Sequence, residues 1–284
     1  MRIKQTLMCG LLAAVTLLTG CGKKYEVESK KPTEIEGFAG NVTDVSPKSG
    51  DLIATFEIED YGTIKAVLFP QAAPVGVENF QKLCDSGYYK GLKIHRVRKN
   101  FMFQGGSKNG DGGTTFDAMV NDGKFGIETA QNARHFYGAL CYANAGPENN
   151  STQFYIVNNK ASQNIDAMGA EDGQKSINDA MADLNKNYKQ YDQTAIDSFL
   201  EDVRYTQNTV DFLKYATAEI KDRYAQKGGT PSLDGNYTVF GQVYEGFDVI
   251  DTLSAAEVEN NGANEVSKPV KDIIIKNVTV STFD

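Results

Sequence analysis

Residues 176–227 run for 52 positions without a glycine or a proline, a longer run than any elsewhere in the chain. A backbone free of both can continue as helix, while one cut into short runs is confined to strands and turns. Inside the stretch Ile196, Phe199, Leu200, Val203, Val210, Leu213, Ile220 and Tyr224 recur at near-helical spacing. Ser176 with Asp179, and Thr194 with Asp197, fit the capping-box pattern that satisfies free N–H groups at a helix start. The pattern weakens over 205–209, where a break between two helices is expected. The flanks have a different period. The runs 52–58 and 63–69 are β-rich and flank a turn containing Gly62, a hairpin signature. Pro74 opens a short helix with Val77, Phe80 and Leu83 on one face, and Gly87 is its expected stop. Apolar runs follow at 94–104, 137–143, 153–158, 238–243 and 272–280, separated by glycine-rich loops, notably 105–113. Many short strands with a couple of helices imply a mainly β fold, a closed antiparallel barrel. The segment 159–229 is then a helical insertion within it.

The N-terminus is read as targeting sequence. Arg2 and Lys4 precede an apolar run of 12 residues, 7–18. That is too short to cross a hydrocarbon core of ~30 Å as a helix and suits the apolar region of a secretory signal. Leu18-Thr19-Gly20-Cys21 follows and resembles the lipobox of bacterial lipoproteins; the alternative is an ordinary signal with a chance cysteine. The resemblance implies cleavage after residue 20, a diacylglycerol on the Cys21 thiol and often a further acyl chain on the new N-terminus. Two or three acyl chains hold a protein firmly to a membrane. The expected location is extracytoplasmic, anchored to the cell membrane or to an outer membrane. Residues 21–50 are polar and of mixed charge and read as a flexible tether. Of the four cysteines, Cys9 leaves with the signal, and Cys84 and Cys141 remain in the domain. A disulfide between them is open in an oxidising compartment, but their apolar neighbours favour two separate buried thiols.

Composition narrows the chemistry. Hydrophobic residues make up 40% of the chain, enough to build a core. Lys plus Arg is 29 against 37 Asp plus Glu, a net charge of −8, which argues against a general nucleic-acid binder. Two histidines and scattered cysteines match no standard zinc spacing. The loop 105–113 lacks the G-x-x-x-x-G-K-[ST] pattern of a phosphate-binding loop. No metal and no cofactor is expected, and the chain is read as a monomer.

The motifs are more specific. His95-Arg96-Val97 precedes Phe101-Met102-Phe103-Gln104-Gly105-Gly106. Ala143-Asn144-Ala145-Gly146-Pro147 precedes Ser151-Thr152-Gln153-Phe154-Tyr155. After the insertion comes Leu233-Asp234-Gly235-Asn236-Tyr237-Thr238-Val239-Phe240-Gly241. In this order the segments closely resemble the cyclophilins, a family of peptidyl-prolyl cis-trans isomerases, over 51–158 and 230–284. The resemblance implies an eight-stranded antiparallel barrel capped by two helices, with the active groove on its outer face. It implies Arg96 as the catalytic arginine with Gln104 beside it. Phe101, Met102, Tyr155 and Leu233 would form the pocket for the proline ring. Gln153 would flank the peptide, the Asn144 backbone would grip it, and Tyr237 would stand at the pocket rim. The implied partners are proline-containing, unfolded or partly folded proteins, here secreted or envelope proteins.

The reaction changes no covalent connectivity, so it needs no nucleophile, metal or proton acceptor. His95 is accordingly read as a hydrogen-bonded structural histidine and His135 as structural too. The chain departs from the family at several places. Asn100 stands for a usual glycine before Phe101, and asparagine tolerates the left-handed backbone that turn requires. Ser107 stands for a usual aspartate. Tyr155 stands for the common phenylalanine and brings a hydroxyl that needs a partner or a wet rim. Ser232 stands where the most cyclosporin-sensitive animal members have tryptophan. A rival reading is a lipid-anchored chaperone or binding module with little turnover. Arg96 favours the isomerase, because binding alone does not need it. The insertion can pack as a hairpin, 176–188 against 194–226, or lie on the barrel. Its ends adjoin Tyr155 and Leu233 in sequence, so it is expected beside the groove, extending the surface for protein substrates without entering the chemistry.

Overall fold

A computed structural model describes residues 24–113 and 117–284; the stretch 1–20 read above as a signal, and Cys21 read as its lipidation site, lie outside the described residues. The first hairpin forms as its alternation predicts. Strands β1 (Leu52–Ile58) and β2 (Gly62–Leu68) pair antiparallel, with Phe56 facing Ile64 and Ile58 facing Gly62. Helix α1 (Pro74–Asp85) follows, opened by its proline and carrying Val77, Phe80 and Leu83 into the core. Then come β3 (Lys93–Arg98), β4 (Met102–Gly105), β5 (Ala139–Asn144) and β6 (Asn150–Val157). Helices α2 (Ala170–Asn187), α3 (Gln193–Lys214) and α4 (Ala218–Lys227) make up the insertion. The chain returns through β7 (Val239–Glu245), α5 (Phe247–Ser254), the short strands β8 (Val258–Asn260) and β9 (Val266–Pro269), and β10 (Ile273–Thr282).

Eight strands close into an antiparallel barrel in the order β1-β10-β3-β4-β6-β5-β7-β2, and β8 with β9 forms a separate hairpin. Alternation along each strand sends one set of side chains inside and the other outside. The inner set includes Phe56, Phe103, Phe154 and Phe240, joined by Phe80 from α1 and by Val249, Ile250 and Leu253 from α5. A second apolar cluster forms on the outer face, from Met102, Cys141, Tyr155, Val157 and Val239. Cys84 belongs to the inner cluster and Cys141 to the outer one, and both are free buried thiols. Among the described residues no helix is long and apolar enough to cross a membrane.

Three sequence expectations need correction. The segment 24–50 is packed, not a loose tether. The Tyr25 backbone N–H donates to Asn185 Oδ1 at 2.7 Å, and the Lys30 N–H donates to Asp211 Oδ2 at 2.7 Å. Asn41 is fully buried and donates to the Arg134 carbonyl at 2.8 Å and to Gln242 Oε1 at 2.9 Å. Hydrogen bonds hold this stretch where apolar side chains are few, so its polarity hid its order. The helix caps also differ. Ser176 lies inside α2 and donates its hydroxyl to the Asp172 carbonyl. Asp192, two residues before Thr194, caps α3 by accepting the Ala195 N–H at 2.8 Å. A carboxylate there also meets the positive end of the helix dipole. Finally, 205–209 is continuous helix, and the break falls at 215–217, where Thr217 caps α4.

Helices α2 and α3 pack as a hairpin through Ile177, Met181, Leu184, Ile196, Leu200, Val203 and Val210. The end of α3 and all of α4 turn back to the barrel, where Leu213, Ile220 and Tyr224 share a core with Phe136. The insertion is therefore bonded into the barrel wall through buried residues.

Candidate active site

Strand register builds the site. Arg96 on β3 faces Gln104 on β4, Gln104 faces Tyr155 on β6, and Tyr155 faces Cys141 on β5. These residues form one row across the outer wall of the barrel, and two positions along the same faces come Met102 and Gln153. Phe101 joins them from the turn before β4. Alternation along a strand would turn only one of two neighbours, Phe101 and Met102, outward. That rule does not reach Phe101, because Asn100 adopts φ +57° in the turn and resets the chain direction just before the strand. Met102 is buried, Phe101 half-buried, and both pack in the outer cluster with Tyr155, Leu233 and Tyr237. The residues proposed for a proline pocket are thus one contiguous apolar surface.

Polar side chains edge it. Arg96 Nη1 donates to Gln104 Oε1 at 3.2 Å, and Gln104 Nε2 donates to Gln153 Oε1 at 2.9 Å. Gln153 Nε2 in turn donates to the carbonyls of Gly112 and Gly113, at 3.2 and 3.0 Å. Each amide in this chain fixes the orientation of the next. The Arg96 guanidinium carbon lies 5.9 Å from the centre of the Phe101 ring. Asn144 uses its side chain to brace its own loop, donating to the Asn236 carbonyl at 3.1 Å and accepting the Gly146 N–H at 3.2 Å. A cavity of about 100 Å³ opens between Gln104, Ala143, Asn144, Ser151 and Gln153.

The floor of the pocket carries a polar network that the sequence did not disclose. The Tyr155 hydroxyl lies 2.8 Å from His135 Nε2, and His135 Nδ1 lies 2.8 Å from Asp234 Oδ1. A carboxylate at Nδ1 places the proton there, so in the neutral ring Nε2 accepts from Tyr155. Asp234 also accepts from Arg134 Nη1 at 3.1 Å and from the Tyr224 hydroxyl of α4 at 2.8 Å. Arg134 places three more donors on the Gln131 carbonyl, Gln131 Oε1 and the Phe212 carbonyl of α3. Burial alone would push the Asp234 carboxyl up; the Arg134 charge and the His135 bonds overcome it and hold it below the usual value. The extra hydroxyl of Tyr155 has therefore found its partner. Arg134 was adjacent to a histidine already singled out, but nothing in one sequence pairs it with a carboxylate 100 residues away.

His95 is half-buried beside Arg96, its ring nitrogens are covered, and neither meets a well-aligned hydrogen-bond partner among the described residues. Burial, then the neighbouring Arg96 charge, holds its pKa down to about 4. It is a neutral ring at neutral pH.

The insertion reaches the rim. Tyr205 of α3 stands edge-on to Tyr237, with ring centres 6.5 Å apart, and Asn236 Nδ2 donates to the Tyr205 carbonyl at 3.0 Å. Gly235, at φ +83°, lets α3 approach this closely: a side chain there would meet Phe212 at 2.8 Å.

Comparison with known proteins agrees with this geometry. The family model for cyclophilin-type peptidyl-prolyl cis-trans isomerases matches residues 53–190 and 206–280, so the match runs on into the inserted helices. A Staphylococcus aureus protein named "Putative peptidyl-prolyl cis-trans isomerase" is 32% identical over 222 residues, covering 77% of this chain and 87% of its own. A Staphylococcus epidermidis protein of the same name is 33% identical over 221 residues, with the same coverage. Among solved structures, a cyclophilin-type isomerase of Cryptosporidium parvum aligns with a TM-score of 0.52 at 20% identity. It covers 82% of this chain and 99% of its own, a likeness of fold. With the family matched over most of the chain and the outer-face row in place, this protein is a cyclophilin-type peptidyl-prolyl cis-trans isomerase.

Proposed function

We propose that this isomerase acts on X–Pro bonds of secreted or envelope proteins, held at the outer side of a membrane by lipid on Cys21. Arg96 is the catalytic group and Gln104 orients it. Rotating a peptide bond costs ~18–20 kcal/mol, because resonance is broken on the way. In the twisted state the proline nitrogen becomes pyramidal and regains a lone pair. A fixed guanidinium can donate to that lone pair but has no such acceptor in the planar ground state, so the interaction favours the transition state. Phe101, Met102, Tyr155 and Leu233 hold the proline ring, Tyr237 bounds the rim, and Gln153 and the Asn144 backbone hold the flanking peptide. A millionfold acceleration requires roughly 8 kcal/mol from these contributions together.

The observation that carries this reading is the Arg96 guanidinium 5.9 Å from the Phe101 ring, tied to Gln104 and bordering the apolar cluster. A protease-coupled assay on a short X–Pro peptide tests it: Arg96→Ala should lose at least ~100-fold in kcat/KM. Near-normal turnover would contradict it. The anchor is tested separately, by mass spectrometry of the native N-terminus, which should show a lipid-modified Cys21.

The exposed Tyr205 beside Tyr237 supports a wider contact with protein substrates along α3. Tyr205→Ala should therefore slow proline-limited refolding of a protein more than it slows a short peptide.

A further inference from the structure

Glu265 lies in none of the motifs above, yet it meets Arg96 more closely than any other side chain. Arg96 Nε donates to Oε2 at 2.7 Å and Nη2 donates to Oε1 at 2.8 Å, fork on fork. Arg98 Nη1 donates to the same Oε1 at 3.0 Å. The carboxylate is aimed by the turn between β8 and β9. There the Asn261 N–H donates to the Glu265 carbonyl at 2.8 Å, the Ala263 N–H donates to Asn261 Oδ1 at 2.8 Å, and Asn264 sits at φ +63°.

Two guanidiniums crowd the pocket edge here, with Arg96 and Arg98 at 5.9 and 5.7 Å from the Phe101 ring centre. Glu265 is the counter-charge they share. The Arg96 hydrogen bonds, working against burial, hold its carboxyl down to about 2, so the pair stays ionised through the neutral range. Arg96 has five N–H donors. Glu265 takes the one on Nε and one on Nη2, and Gln104 takes one on Nη1, so one on each terminal nitrogen is left over among the described residues.

We infer that Glu265 is a positioning residue for isomerisation: it fixes the plane of the Arg96 guanidinium so that the two spare N–H groups are held toward the twisted amide. The inference rests on the role proposed for Arg96. Pairing also dampens the positive charge, an effect of opposite sign. Orientation outweighs it, because the interaction gained at the transition state is one directed hydrogen bond, and an unpaired arginine between a like charge and open solvent points in many directions.

The test measures kcat and KM on a short X–Pro peptide for Glu265→Ala and the near-isosteric Glu265→Gln, each in wild-type and Arg96→Ala backgrounds. NMR follows the Arg96 Nε–H signal. Expected are a fall in kcat of about tenfold for Glu265→Ala, a KM within about twofold of wild type, and loss of the Nε–H signal. In the Arg96→Ala background the same substitution should change kcat by less than about twofold, because its target is gone. If Glu265→Ala does not fold, the same readings on Glu265→Gln decide. A wild-type kcat, or an equal loss in both backgrounds, overturns the inference. Full activity of Arg96→Ala alone would overturn the role of Arg96 itself, and the inference with it.

Discussion

Arg96 and Arg134 each pair with a carboxylate far away in the sequence, and both pairs adjoin the apolar cluster around Tyr155. The Arg96–Glu265 pair leaves 30% and 25% of its side-chain surface exposed, whereas the Arg134–Asp234 pair leaves 1% and 1%. The same two chemical groups therefore do different work. A half-exposed pair adds less to stability than a dry one, because water still reaches its charges when it is broken. Its arginine keeps donors free for a substrate. A buried pair has lost that hydration, and every lost contact with water must be replaced within the protein. Asp234 and Arg134 meet that demand with His135, Tyr224, Gln131 and the Phe212 carbonyl, and burial keeps both out of a substrate's reach. In the proposed mechanism the first pair serves the amide, while the second lies under the apolar cluster and ties the inserted helices to it.

The contrast breaks most visibly at Asp234. Asp234→Ala strands the Arg134 charge in the interior and should cost about 3–5 kcal/mol in urea denaturation. Replacement of 160–228 by a short linker should impair both the stability of the barrel and its activity on peptides, although the sequence alone places the insertion outside the chemistry. Tyr224 and the Phe212 carbonyl would leave with that segment. Arg96→Ala should do the reverse of Asp234→Ala, with the activity loss given above and a stability change below about 1 kcal/mol. Tyr224→Phe removes a single bond to the buried carboxylate. It should cost about 1.5–3 kcal/mol and lower peptide turnover far less than Arg96→Ala does.

The smallest effect is one of pH. His95 stays neutral in the fold down to about pH 4, while the unfolded chain protonates it near 6.5. The unfolded state therefore binds more protons in this window, and stability should decline as pH falls from about 6.5 toward 4. Asp234 adds a second loss below its unfolded value near 4, because its folded pKa is depressed. Denaturation midpoints between pH 7.5 and 4.5 check the first step. The decline should be shallower in His95→Asn, and an identical slope in both proteins would contradict it.

Much of the fold was legible because it rests on local signals. The 52–68 hairpin, the α1 start at Pro74 and the tolerance of Asn100 for a left-handed turn are each settled within a few residues. The row Arg96, Gln104, Tyr155 was legible through its motifs, and strand register then explains why residues so far apart in sequence adjoin. The misplaced helix break has a specific cause. Gln207 and Asp211 are buried on α3, where the apolar period calls for core residues. They sit there because Asp211 receives the Ser29 hydroxyl and the Lys30 N–H from the N-terminal segment, and Gln207 bonds to Asp211. A polar contact between distant segments looks like a lapse in helical patterning when read along one chain. Glu265 and Arg134 escaped notice for the same reason: a charge shows its residue type in the sequence and its partner only in the fold.

The division between the two pairs is tested most directly by taking kcat/KM and the free energy of unfolding on the same samples of wild type, Arg96→Ala and Asp234→Asn. Arg96→Ala should lose at least ~100-fold in kcat/KM, about 2.7 kcal/mol of transition-state stabilisation, while unfolding as wild type does. Asp234→Asn should lose several kcal/mol of stability and, where it remains folded, keep most of its turnover. A stability loss in Arg96→Ala as large as that in Asp234→Asn, with turnover intact, would contradict the assignment of chemistry to the exposed pair.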